Sequence, residues 1–290
     1  MMNVVEKLYE EIKNNYANEL KTKRGHAKDE RLLYVLICIV YIITVLLTFK
    51  VTSKTNSGSL LILFAFEVLV FPYILMYIYK RWSKNAEYKK EYARLIFAHI
   101  LNQFKEIKKF NHIKGIEKEI YRKANFDKND DIYKSQCYVQ GLINEKYQFE
   151  MSNVYAKKNT VFSVRHSFVF DGTFIILDIS KKINERIFIT KQNKFTLGTP
   201  EILDNDFKIY CKNKSNNKQK INIELIKYLL GTQLFDEIVI IGSKMYIRSF
   251  KNIFEVPSIK KIPLKKERIY NYYNTYKSIL DNLNKIVKEI

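Results

Sequence analysis

The chain has 290 residues, with 50 Lys and Arg against 30 Asp and Glu, a formal net charge of +20 at pH 7. That length holds one sizeable domain beside a membrane segment; the positive balance points to anionic partners only where lysines gather on one face, and in the sequence they are spread along the chain. Cys38, Cys137 and Cys211 form no C-x-x-C pair and have no short spacing to a histidine, so neither a disulfide framework nor a zinc site is indicated, which fits a reducing compartment.

In chain order, residues 1–20 place Val5, Leu8 and Ile12 on one side of a short amphipathic helix. Residues 32–49 then carry no charge, and residues 59–79 carry one, Glu67. Each run suits a bilayer core, which takes roughly 20 mostly apolar residues per helix. The polar stretch between them is short, so the two spans predict a transmembrane hairpin over residues 32–80. Lys21, Lys23, Arg24, Lys28 and Arg31 precede it, Lys80, Arg81, Lys84, Lys89 and Lys90 follow it, and the loop offers Lys50 and Lys54 alone. Cytoplasmic flanks are the ones rich in Lys and Arg. Both termini are therefore expected in the cytoplasm, with residues 1–31 and 81–290 on that side of a multi-pass protein of the cell membrane. Inside the hairpin, Glu67 falls near Tyr41 and Thr44. A carboxyl group at that depth needs a proton or a hydrogen-bond partner, and the expected one is Tyr41, stapling the hairpin or a homo-oligomer. Pro72 is expected to kink the second span and free a carbonyl about one turn earlier.

Beyond the membrane, Tyr92, Leu95, Ile96, Ile100, Phe104 and Ile107 recur at helical spacing, predicting a helix over residues 83–110 and a second one near 116–123. From residue 136 the period becomes two: Tyr147, Phe149 and Met151 alternate with polar residues. Strands are predicted at 161–164, at 168–179 with both faces covered, and at 186–190 after a polar turn. A helix over 221–230 follows, and then two strands at 237–241 and 244–250 joined by Gly242 and Ser243, a two-residue hairpin signal. Residues 191–206 and 211–220 read as loops. Ile269, Tyr273, Tyr276, Leu280, Leu283, Val287 and Ile290 mark an amphipathic helix over 266–290, expected to pack on its own domain, with pairing to a partner helix as the alternative. The fold class is α+β: an N-terminal transmembrane hairpin, then a cytoplasmic domain with a mainly antiparallel sheet and flanking helices.

No phosphate-binding glycine loop, nucleophile elbow, H-E-x-x-H helix or kinase set is present. Asp127, Asp130 and Asp131, and Asp204 with Asp206, sit in turn-like segments where Asp closes turns. No catalytic, cofactor or metal residues are assigned, and nucleic-acid binding is not expected, because aromatic and basic residues do not interleave on one platform. Lys260, Lys261, Lys265, Lys266 and Arg268 form the best basic cluster and offer a contact to acidic lipids.

Tyr138, Val139, Gly141 and Ile143, then Phe170, Gly172, Phe174 and Ile175 in an F-x-G-x-F-I strand, continued by Asp178 and Lys181, resemble a bacterial family of membrane proteins of unknown function. Phe207, Tyr210, Phe254 and Glu255 extend the likeness; Ile179 and Ser180 depart from it, as does the lack of an Arg near Lys220. The resemblance implies a two-helix hairpin before one cytoplasmic α/β domain, and no reaction. Physically, Gly172 reads as a close-approach or bulge position within a buried strand, and Phe170 and Phe174 as core. The reading that follows is a membrane-tethered binding or scaffold module, whose partners are the bilayer and other membrane or cytoplasmic proteins. The alternatives are an enzyme on an anionic substrate and a small oligomeric transport component using Glu67.

Overall fold

The structure, a computed structural model, describes residues 4–55, 58–82, 84–124, 126, 131–158, 167–191, 202–203, 207–211, 222–258, 261 and 264–290. Its contacts divide the chain into two compact units, one of residues 1–10, 93–255 and 265–290, the other of residues 11–92 and 256–264.

The second unit is helical. Helix α1, Val4–Thr55, is continuous over 52 residues, about 78 Å at 1.5 Å per residue. The short N-terminal helix and the first span expected from the sequence are thus one element. The linking residues 21–31 are mostly Lys, Arg, Ala and Glu, strong helix formers that carry the helix through Gly25. The helix also runs on to Thr55, shortening the expected turn. Helices α2, Gly58–Leu69, and α3, Phe71–Trp82, stand where one kinked span was expected. Pro72 cannot donate to the turn before it; the chain stays bonded across the break through Val70 N–H to Phe66 C=O at 2.9 Å and Ile74 N–H to Val70 C=O at 3.3 Å. Phe49 lies 5.7 Å from Phe64, and Tyr41 lies 5.2 Å from Phe71. Lys23 reaches Glu87 of α4, Lys84–Tyr92, at 2.5 Å. One residue number falls as the other rises, so α1 and the elements that follow it run antiparallel.

The first unit holds the sheet. After a π-helical turn at Ala93–Phe97 and α5, Ala98–Leu101, the chain turns and enters β1, Ile107–Asn111. The helix expected over 83–110 therefore ends early: Ile107 had fitted the helical stripe, and pairing with β2 overrides that local pattern. Helix α6 is Lys118–Ala124, and β2 and β3 are Ile132–Ile143 and Tyr147–Lys158. Next come β4, Ser167–Thr190, β5, Ile202–Leu203, β6, Lys208–Cys211, α7, Ile223–Gly231, β7, Glu237–Ser249, and α8, Lys266–Glu289. All pairings are antiparallel. The expected strand at 161–164 and most of the expected loops lie outside the described residues.

Strands β4 and β7 each double back. Asp236 N–H donates to Arg248 C=O at 2.9 Å, although an extended chain would hold those residues about 40 Å apart at 3.3 Å per residue. The reversal falls at Gly242, whose φ of +62 is what the first residue of a type II′ turn requires. In β4, Phe174 and Phe188 both pack on Phe126, at 6.2 and 5.8 Å, which a straight strand could not allow. The first limb of β4 pairs with β3 and with residues 244–249, while its second limb pairs with β6 and with residues 237–240. Ile183 pairs with Gly242, so the middle of β4 arches past the tip of the β7 hairpin. Across the sheet the order is β1, β2, β3, first limb of β4, second limb of β7, first limb of β7, second limb of β4, β6, β5.

One face buries Val154, Ala156, Phe170, Phe174, Ile176, Phe188, Tyr210, Val239 and Tyr246 under Ile116, Tyr121, Ala124 and Phe126. The alternate residues face the other way, where α8 packs against β2 and β4. Ile269, Tyr276, Leu280, Leu283 and Val287 of α8 are buried, so the terminal helix spends its apolar seam on its own domain.

Candidate functional site

Three places hold unusual chemistry. The first is a charge in the sheet core. Glu237 and Arg248 stand opposite each other across the β7 hairpin, with side chains 1% exposed and Arg248 Nη1 3.2 Å from Glu237 Oε2. Arg248 also donates to the Tyr121 hydroxyl. Its guanidinium carbon lies 4.3 Å from the ring centroid of Phe126, 4.7 Å from that of Phe170 and 5.0 Å from that of Tyr121. An aromatic enclosure of this kind attracts the cation through the ring quadrupoles. Closed to solvent, it anchors the hairpin and α6; it does not meet a solute.

The F-x-G-x-F residues build this enclosure. Phe170 is one wall, and Phe174, opposite Arg248 in the register, supports Tyr121 edge-on at 5.1 Å. A Cβ on Gly172 would fall on the Ser249 carbonyl, so glycine lets β7 come close. Asp178 pairs with Lys244 at 2.9 Å near the hairpin tip, and although burial works against the Lys244 charge, this carboxylate holds its pKa above the ordinary value. Beyond β7, Thr173 Oγ1 donates to Lys251 C=O at 2.8 Å and accepts from Ile253 N–H at 3.2 Å. That contact fixes Phe254, which packs edge-on against Phe97 at 5.5 Å.

The second place is a cleft of about 350 Å³ between the chain entering β1, the β2–β3 turn and α8. Lys105, Glu106 and Lys108 line one side, Asn144 and Glu145 the turn, Asp281 and Asn284 the helix, over Leu142, Ile143 and Leu280. The turn is tight: Asn144 and Glu145 have φ of +50 and +58, and Lys146 N–H closes on Ile143 C=O at 3.1 Å. Gly141 sets the floor, because a Cβ there would strike Glu106 C=O and the Phe149 ring; Glu106 C=O instead accepts from Leu142 N–H at 2.8 Å. Among the described residues, Lys105, Lys108, Glu145 and Asp281 make no ion pair. Asn284 Oδ1 is buried there without a hydrogen-bond partner. Tyr138 of β2, which packs against the core under Tyr121 and Phe126, has its phenol pushed up to about 12 by burial and then by Glu150.

The third place is Glu67. Tyr41 does bond to this residue, but its hydroxyl donates to the Glu67 main-chain carbonyl at 2.6 Å, where the sequence suggested the carboxyl group. That carbonyl lies one turn before the α2–α3 break. Glu67 Oε2 is buried with no partner among the described residues.

The basic cluster is less uniform than its sequence. Lys260 lies outside the described residues. Lys266 bonds Glu6 at 2.5 Å, which raises its pKa through that hydrogen bond and charge. Lys261 and Lys265 are exposed and Arg268 is half-buried. Asp127, Asp130, Asp204 and Asp206 lie outside the described residues, and among those described no three His, Cys, Asp or Glu side chains converge as for a metal ion. None of the three cysteines is in a disulfide, and burial pushes the Cys137 thiol up to about 12.

Sequence reasoning missed Glu237, Arg248 and the cleft. A signal for the pair was present: Glu237 opens and Arg248 interrupts an apolar run, five residues before Gly242 and five after Ser243, and so opposite in a two-residue hairpin. The cleft joins three distant segments and left no local pattern.

The architecture is α+β: a long N-terminal apolar helix, further helices, and a mainly antiparallel open sheet with helices on its faces. No protein-family model and no curated protein matches the chain. Among solved structures, the crystal structure of the mycobacterial trehalose monomycolate transport factor A, TtfA, aligns at 10% identity over 67% of this chain and 93% of its own, with a TM-score of 0.31. A likeness that slight carries no functional argument.

Proposed function

We propose that the chain is a membrane-tethered binding module, with a two-helix hairpin crossing the cell membrane and the sheet domain displayed in the cytoplasm. The carrying observation is on α1: its most apolar 18-residue stretch is 0% buried within the structure. A soluble protein rarely leaves that much contiguous apolar surface in water. The shorter apolar helical run Phe64–Tyr77 supports a second crossing, since it runs antiparallel to α1 through the Tyr41 and Phe49 contacts. The Tyr41 bond to the Glu67 carbonyl supports pairing within the bilayer, where a freed backbone carbonyl needs a donor. The distribution of Lys and Arg orients both ends inward. In the sheet domain the open polar cleft, with its charges unspent on each other, favours binding.

Membrane-impermeant maleimide labelling of intact cells tests the arrangement, using single-cysteine versions of the full chain with Cys38, Cys137 and Cys211 replaced. Lys54→Cys is expected to label from outside and Lys288→Cys only after lysis. Labelling of both from outside, or of Lys288→Cys alone, overturns the hairpin orientation; release of the chain by alkaline carbonate overturns the anchor.

A further inference from the structure

The cleft beside the β2–β3 turn carries a more specific reading, which rests on the sheet domain being a binding module. We propose that it binds a small zwitterion: a molecule with an ammonium group and an anionic oxygen group a few bonds apart. The charge pattern selects that class. Lys105 and Lys108 offer cations, while Glu106, Glu145 and Asp281 offer carboxylates around the same space. A simple anion would meet three carboxylates and a simple cation two ammonium groups. A ligand bearing both signs complements both, the anionic group toward the lysines and the ammonium toward Glu145 and Asp281.

An ammonium has three donors, so it can bond Glu145 and Asp281 at once while the anionic group meets the lysines. The volume, about 350 Å³, stands near the lower end of small-molecule sites and suits an amino acid, a dipeptide or a phosphoethanolamine group. The walls are built to stay open: Gly141 lets the Glu106 segment sit tightly on β2, and the left-handed Asn144 and Glu145 turn the β2–β3 connection back at its rim.

The same chemistry occurs in a lipid headgroup and in free solutes, and calorimetry separates the sources. The full chain, in nanodiscs of phosphatidylcholine and phosphatidylglycerol, is titrated with glycerophosphoethanolamine, with glycine and diglycine, and with inorganic phosphate. Saturable binding of glycerophosphoethanolamine alone assigns the headgroup; binding of glycine or diglycine alone assigns a free solute. Lys108→Gln and Asp281→Asn are each expected to weaken the zwitterion about tenfold, near 1.4 kcal/mol, with the ligand-free melting temperature unchanged. No saturation at millimolar zwitterion, phosphate binding as well as the zwitterions, or unchanged affinity in Lys108→Gln and Asp281→Asn overturns the proposal. None of these results alters the maleimide labelling pattern, so a failure of the cleft is told apart from a failure of the tether.

Discussion

Arg248 is held by a carboxylate, a phenol and three ring faces at once, and each answers part of the cost of burying a guanidinium. Glu237 balances the charge, Tyr121 takes one N–H, and Phe126 and Phe170 replace water with polarisable surface. Such a pair is not stabilising by default, since desolvation offsets much of the attraction, but breaking it strands a buried charge. Arg248→Met or Glu237→Leu alone is therefore expected to destabilise the sheet domain by about 3–5 kcal/mol. The double variant is expected to recover most of that loss, because two apolar side chains leave no charge behind. Urea unfolding of the full chain in detergent measures the cycle, and a double variant as unstable as the sum of the singles refutes this account. At this scale the sequence was informative about shape and silent about partners. It marked Gly172 as a close approach or a bulge and Phe170 and Phe174 as core, because a glycine and two aromatics within a buried strand imply those roles. That Phe170 faces a cation depends on residues nearly eighty positions away.

Among the elements, the β7 hairpin was legible because its determinants are local: two apolar runs and a Gly-Ser pair between them. Gly242 has nothing within 4 Å of an added Cβ, so its role is conformational alone. Gly242→Ala is expected to cost about 1 kcal/mol from a left-handed φ, while Ser243→Ala, beside it and exposed, is expected to be nearly neutral. Equal effects of the two in thermal unfolding would remove the turn argument. The helix expected over residues 83–110 failed for the converse reason. Phe104 and Ile107 match a helical stripe, yet Ile107 through Asn111 gain an edge of β2 that no window of sequence displays. Helix α1 was longer than expected because apolar periodicity stops at the charged residues 21–31 while helix propensity does not. The broken α2–α3 pair was foreshadowed by Pro72.

At the scale of the whole molecule, titration couples to unfolding through the sheet. Cys137 and Tyr138 adjoin a bulge of β2 at which Cys137 takes a φ of +60. Burial lifts the thiol from 9.0 to about 12, and the phenol goes from 10.0 to about 12. Both groups are neutral when protonated, so the folded state keeps its protons longer. Stability is full below pH 9.0, falls as the unfolded chain ionises first, and is lost as pH passes about 12. The urea midpoint should decline across that window, with Tyr138, the more open of the two, adding less. Cys137→Ala keeps the β-carbon and the backbone angle, so it should flatten the slope between pH 9.0 and about 12; an unchanged slope means Cys137 is not the source. The α+β class and the long apolar helix were readable because apolar runs and period changes are properties of windows. The strand order was not, since it is set by which windows meet.

The arch of β4 over β7 has a consequence for how the chain is made. Residues 167–190 leave the ribosome well before residues 237–249, yet the two limbs of β4 join one sheet only when β7 slides between them. Until then the nascent domain is two half-sheets, each with a raw inner edge able to recruit a foreign strand. A chain halted before Ser249 keeps both edges open for good, so β7, made after β1 to β6, is the strand that covers the two inner edges they leave.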